Sequence, residues 1–143
     1  MNPIIHYGSL INGELVIPLA QPCKCLIGLV SLQIPNINHR GDGYKELNIY
    51  CDQLDSNMAN RKRLLRRICT NNQPEYVSTF EFPTVLYFPV DSSDSKLTLR
   101  FHDQHGFIEI PETFARRANM QTVTVCLNVI PEDVAKEQWI KYI

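Results

Sequence analysis

Four groups of residues in this chain have the types and spacing to do chemistry. His102-Asp103-Gln104-His105 is a His-x-x-His and Cys23-Lys24-Cys25 a Cys-x-Cys; pooled, they would offer a tetrahedral zinc set. The histidine pair, however, straddles an expected hairpin turn, and Cys23 follows Pro22 in an expected loop. Neither spacing is that of a zinc knuckle, so ordinary turn polarity is the simpler account and no metal is expected. Arg40-Gly41-Asp42 has the form of an integrin-binding triplet, which requires a protruding loop that holds a guanidinium and a carboxylate at opposite ends. Arg, Gly and Asp are also common loop residues, and chance outweighs recognition for so short a motif. The fourth group is basic: Arg61-Lys62-Arg63-Leu64-Leu65-Arg66-Arg67 places five of the fourteen Lys and Arg residues in seven positions. Such a run reads as a nucleic-acid patch, a nuclear address or one strand of a β fold.

Catalytic signatures are missing. There is no Gly-x-Ser-x-Gly elbow, no phosphate loop and no Gly-x-Gly-x-x-Gly. The acidic residues are scattered through turns and do not converge on apolar runs, so no acid/base dyad emerges. No catalytic residue and no cofactor are expected, and the chain reads as a non-enzyme.

The elements that must carry these groups are mostly strands. At 143 residues, 44% hydrophobic and 20% charged, the chain is expected to be one globular domain spanning 1–143. A formal net charge of −1 makes the basic run a local feature on a neutral body, since proteins that live by neutralising phosphates are strongly basic. No apolar run approaches the roughly 18–20 residues that span a bilayer, so no membrane insertion is expected. The first twenty residues lack the pattern of a signal peptide, and the expectation is a soluble, unsecreted protein. Five cysteines, an odd number, read as reduced thiols; Cys51, Cys69 and Cys126 fall in apolar β-like runs and are expected to pack as small hydrophobes.

Asn12-Gly13 separates IIHYGSLI from ELVIPL, a strong cue for a type I′ hairpin. CLIGLVSLQIP (25–35) is a near-continuous apolar run expected to be a buried strand. In 46–52, Leu47, Ile49 and Cys51 alternate with Asn48, Tyr50 and Asp52; in 96–102, Leu97, Leu99 and Phe101 alternate with Thr98, Arg100 and His102. NINHRGDG (36–43), QLDSNMAN (53–60), NNQPE (71–75) and DSSDS (91–95) read as loops. TFEFP and VLYFPV (79–90) form an aromatic β segment whose Pro83 and Pro89 belong at an edge, a bulge or a strand end, because proline lacks the ladder donor. In the basic run, Asn60 to Arg63 read as a solvated loop and Leu64 to Thr70 as a strand. FIEI (107–110) and QTVTVCLNVI (121–130) complete about eight to ten strands, the spacing of a sandwich or barrel. PETFARRAN (111–119) and PEDVAKEQWIKYI (131–143) break the pattern, each opening with proline where a helix would begin. The second is expected to be a short helix or arm that packs Trp139 on the body or on a neighbouring subunit.

Several segments, in order, resemble a protein encoded by Polinton/Maverick elements and the related adintoviruses. They are LAQPCKCLIGLVSLQIP (19–35), ELNIYCDQLDSN (46–57), LLRRICT (64–70), STFEFPTVLYFPV (78–90), LTLRFHDQHGFIEI (97–110) and VTVCLNV (123–129). The resemblance covers roughly residues 15–130. It departs from the family at Leu26-Ile27, where the family has an aromatic–acid pair, and at Gln104-His105-Gly106, where the family has an Asp-Thr-Gly turn.

The resemblance implies an all-β single jelly-roll sandwich of about eight strands with a short C-terminal helix or arm. It implies a structural role as a minor capsid (penton-like) subunit whose copies, as a pentamer, close a ring at a capsid vertex. The partners it implies are further copies of the chain and the major capsid protein, and its place is the virion, assembled inside the host cell. Pro83 and Pro89, with Trp139 and Tyr142 of the terminal arm, are the expected subunit contacts. Arg40, Gly41 and Asp42 would face a cell-surface receptor, and Arg61, Lys62 and Arg63 a polyanion. Two other classes compete: a jelly-roll module binding a receptor or glycan, and a domesticated nucleic-acid-binding domain using the basic run 61–67.

Overall fold

A computed structural model describes residues 3–35, 45–54, 63–69, 77–108 and 122–133 of the chain. They form ten strands: β1 (Ile4–Ser9), β2 (Glu14–Pro18), β3 (Cys23–Pro35), β4 (Glu46–Cys51), β5 (Leu64–Cys69), β6 (Val77–Glu81), β7 (Tyr87–Ser92), β8 (Lys96–Asp103), β9 (Gly106–Phe107) and β10 (Thr122–Pro131). Sheet 1 runs β1-β10-β3 and then β6 and β7, which pair with successive halves of β3. Sheet 2 runs β2-β8-β4-β5, with the two-residue β9 also on β8. Every pairing is antiparallel, and except for β4–β5, β6–β7 and β8–β9 each strand is followed by one in the other sheet. Two facing antiparallel sheets interleaved in this order are a jelly-roll sandwich.

The alternation in the sequence sets which side chains face inward. Leu47, Ile49 and Cys51 of β4 and Leu97, Leu99 and Phe101 of β8 are fully buried, while Asn48, Tyr50, Arg100 and His102 point outward. They meet Ile17, Ile27, Leu29, Val125 and Leu127 from the other strands in one apolar cluster. In β3 the inward set changes phase, from Cys25, Ile27 and Leu29 to Leu32 and Ile34. The ladder explains it: Leu127 pairs with Leu29 but Cys126 pairs with Ser31, so Val30 is an extra residue. A β-bulge there re-aims the strand, and the unbroken apolar run reflects two half-strands of opposite phase.

Asn12 (φ 52°) and Gly13 (φ 75°) both adopt the left-handed backbone of a type I′ turn. The strands they join are not hairpin partners: beyond the Ile11–Glu14 bridge, β1 pairs with β10 and β2 with β8. The turn therefore passes the chain from one sheet to the other. Pro83 lies in the break between β6 and β7, and Pro89 is exposed on β7, the edge strand of sheet 1. Three sequence-based expectations need correction. Leu54, expected in a loop, is 7% exposed and bridges to Val90. Cys23, expected in a loop, begins β3, two residues ahead of the expected strand start at Cys25. Cys69 is exposed and Cys126 is half-buried on the outward side of sheet 1, so of the three cysteines expected inside only Cys51 is in the core. Pro131 closes β10 opposite Cys25, and Glu132 and Asp133 directly after it are helical, as expected of the opening of the 131–143 segment. The expected turns at 111–119 and the arm 134–143 lie outside the described residues.

Candidate functional site

The outward face of sheet 2 is charged and internally satisfied. Glu14, Arg100 and Tyr50 lie side by side on β2, β8 and β4, with His102 and Asn48 in the next row. Asp52 accepts from Arg100 Nε and Nη2, both at 2.8 Å, and Glu14 lies 3.4 Å from Arg100 Nη1. The Asp52 hydrogen bonds hold the Arg100 pKa above its ordinary value. The Tyr50 and His102 rings meet edge-on at 5.1 Å. Below this face Cys51 is sealed in the core, and burial pushes its thiol pKa up to about 11. Such a thiol is inert, not a nucleophile.

The basic run is divided by the fold. Leu65 and Ile68 are both buried, although a regular strand would point them to opposite faces. A bulge at Leu65 (Tyr50 pairs with Leu64, Ile49 with Arg66) turns Arg66 toward the open side of the sandwich. There its guanidinium sits 4.3 Å above the Phe82 ring and donates to the Thr84 carbonyl at 3.2 Å, clamping the edge of sheet 2 to the β6–β7 break of sheet 1. Arg67 points outward and pairs with Glu46 at 2.8 Å. Arg63 is exposed with φ 59° and its carbonyl accepts from Cys51 N. Arg61 and Lys62 lie outside the described residues.

The pooled zinc set is not brought together. His102 faces outward from sheet 2, while Cys25 faces the core from sheet 1. His105 is exposed in the β8–β9 turn, where its backbone N–H donates to buried Asp103 at 2.7 Å. Among the described residues no three His, Cys, Asp or Glu side chains cluster as metal ligands. Arg40, Gly41 and Asp42, and likewise Trp139 and Tyr142, lie outside the described residues.

A feature that motif reading missed is the placement of exposed apolar side chains. Among the described residues the large ones are Ile5, Tyr7, Ile11, Val16, Leu86, Tyr87 and Phe107. Ile5 and Tyr7 are on β1, the edge of sheet 1; Val16 is on β2, the edge of sheet 2; Ile11 is in the turn between them. Phe107 is on β9 beside that turn, so close that a Cβ on Gly13 would come within 2.8 Å of it. Leu86 and Tyr87 are at the opposite edge, at and just before β7. The central strands β3, β10, β8 and β4 carry none. A signal was present in IIHYGS, which has apolar residues in both phases of the strand and no Lys, Arg, Asp or Glu.

No family model matches the chain, and neither a curated protein nor a solved structure was found to match it.

Proposed function

We propose that the chain is a structural protein: a viral or virus-derived minor capsid subunit of the penton type, whose copies associate side to side into a ring. The observation that carries this reading is the exposure pattern. Monomeric sandwiches blunt their edges with charge, proline or short strands, but here the large exposed apolar residues lie on the edges and not on the central strands. The jelly-roll order, shared with many capsid proteins, supports it. So does the way each segment of the resemblance to Polinton/Maverick and adintovirus proteins contains one or two strands: β3 within 19–35, β4 within 46–57, β5 within 64–70, most of β6 and β7 within 78–90, most of β8 and β9 within 97–110, and much of β10 within 123–129. In this reading the partners are further copies, as a pentamer, and the major capsid protein; the place of action is the virion. The engagement of Arg66 and Arg67 within the fold weighs against the basic run as a free nucleic-acid grip.

Size-exclusion chromatography with light scattering, followed by negative-stain imaging, tests the proposal. A closed ring of several copies is the expected result. A monomer that binds DNA with a steep salt dependence would sink it.

A further inference from the structure

We propose that the chain's own C-terminal segment, residues 134–143, is seated on the outer face of sheet 1, over Leu26 and Ile130. This holds whether or not copies assemble, and it takes Trp139 and Tyr142 away from the subunit contacts that the resemblance implies.

The outer faces of the two sheets differ in kind. Sheet 2 carries Glu14, Arg100, Asp52, Glu46 and Arg67, paired among themselves. On sheet 1 the facing stretches of β10 and β3 turn Cys126, Asn128, Ile130, Leu26 and Gly28 outward, and none is charged. Ile130 pairs with Leu26, and both fall outside the apolar cluster between the sheets. Ile130 is nonetheless only 9% exposed. Neighbouring strands flank a side chain at about 4.8 Å but do not cover it, so its burial calls for something above the sheet. The Tyr87 ring supplies one wall: it lies over Gly28, and its hydroxyl accepts from Asn128 Nδ2 at 3.0 Å. On the other side Lys24, Asp91 and Glu132 rim a cavity of about 210 Å³ that Leu26 and Pro89 also line. Together these residues form a trough with an apolar floor and a charged outer rim.

The C-terminal segment fits this trough by position, length and chemistry. β10 ends at Pro131, directly after Ile130, and the chain leaves through Glu132, which is itself on the rim. At about 1.5 Å per residue even a helical segment of ten residues reaches about 15 Å. Cys126 lies four strand residues, about 14 Å, back along β10 from Ile130, so the whole uncharged stretch is within reach. Val134, Trp139, Ile140, Tyr142 and Ile143 supply an apolar cover for the floor, and Lys136 and Lys141 match the carboxylates of the rim. Connection through Pro131 makes the contact intramolecular, with the high effective concentration of a short link. A segment from another copy has no such tether.

Trp139 is the single tryptophan of the chain, so its fluorescence reads the seat directly. In the folded parent chain acrylamide should quench it far less than in the urea-unfolded chain. Leu26→Lys, folded by circular dichroism, should lose that shielding; Ile130→Ser takes its place if the lysine variant fails to fold. Two mixtures, each refolded together from urea, separate a chain's own segment from a neighbour's. Leu26→Lys chains in excess Trp139→Phe chains should keep an exposed tryptophan. Parent chains in excess chains carrying both Trp139→Phe and Leu26→Lys should keep a shielded one. The opposite pair of results would overturn the inference in favour of a segment exchanged between copies. Quenching in the parent equal to that of the unfolded chain, or unchanged by Leu26→Lys, would overturn it outright. Neither result touches the capsid reading, which stands or falls on the oligomeric state.

Discussion

Gln53 is expected to hold more of the fold than its place in a polar segment suggests. β4 ends at Cys51, yet the ladder to β8 continues: Asp52 N donates to the Thr98 carbonyl, and Gln53 Oε1 accepts from Thr98 N at 2.8 Å. Thr98 is 5% exposed, so its N–H has little access to water. The Gln53 carbonyl also accepts from Asp91 N on β7, at 3.2 Å, which ties sheet 2 to sheet 1. Gln53→Leu keeps the backbone bond and the bulk but removes the side-chain acceptor. Leaving a buried donor unsatisfied costs about 1–3 kcal/mol. For a domain of this size, about 3 °C per kcal/mol converts that to a loss of roughly 3–9 °C in the thermal midpoint. Gln53→Glu retains an acceptor oxygen and should lose much less. Thermal unfolding at one fixed protein concentration is the suitable assay, because self-association would otherwise shift the midpoint. A Gln53→Leu midpoint equal to the parent's, or a Gln53→Glu loss as large as that of Gln53→Leu, would refute the reasoning.

Other perturbations read other parts of the structure. Gly28→Ala would bring a Cβ to 2.5 Å from Val85 Cγ1 and 3.0 Å from the Tyr87 ring. It should cost about 1–3 kcal/mol by overpacking and displace the Tyr87 hydroxyl from Asn128 Nδ2, read by urea unfolding. Burial raises the Cys51 pKa from 9.0 to about 11, so its neutral thiol stabilises the fold below pH 9 and that contribution is lost as pH rises through 11. The loss is roughly 2–3 kcal/mol, and a Cys51→Ala variant should show a correspondingly flatter stability profile between those pH values in urea titrations. Arg66→Ala should cost about 1–2 kcal/mol, since it removes both the contact over Phe82 and the bond to Thr84. Arg67→Ala should cost less than about 1 kcal/mol, because its pair with Glu46 is solvent-exposed; comparing the two urea midpoints separates clamp from surface pair.

Much of the strand layout was legible in the sequence because a half-buried strand records its burial with a period of two. The alternations in 46–52 and 96–102 predicted every inward residue, and of the outward set only Thr98 is buried. Turn chemistry was local as well: Asn12 and Gly13 adopt the positive φ their types favour, and Pro83 sits where a ladder donor is not needed. The same local signals failed where the outcome depended on partners distant in sequence. Whether Asn12-Gly13 closes a hairpin or carries the chain between sheets depends on β10 and β8 competing for β1 and β2. Whether an arginine in 61–67 is free depends on Phe82, Thr84 and Glu46, which no spacing within the run reveals. Gln53 looked like loop polarity until Thr98 was placed beside it. The sequence by itself determined the β class, the faces of the strands and the chemistry of the turns, because those follow from neighbours along the chain. Which strands are edges, and so that exposed Ile5, Tyr7 and Val16 lie on edge strands, came only with the sheet order. Edge position is a property of the whole sheet order, and no short stretch of residues encodes it.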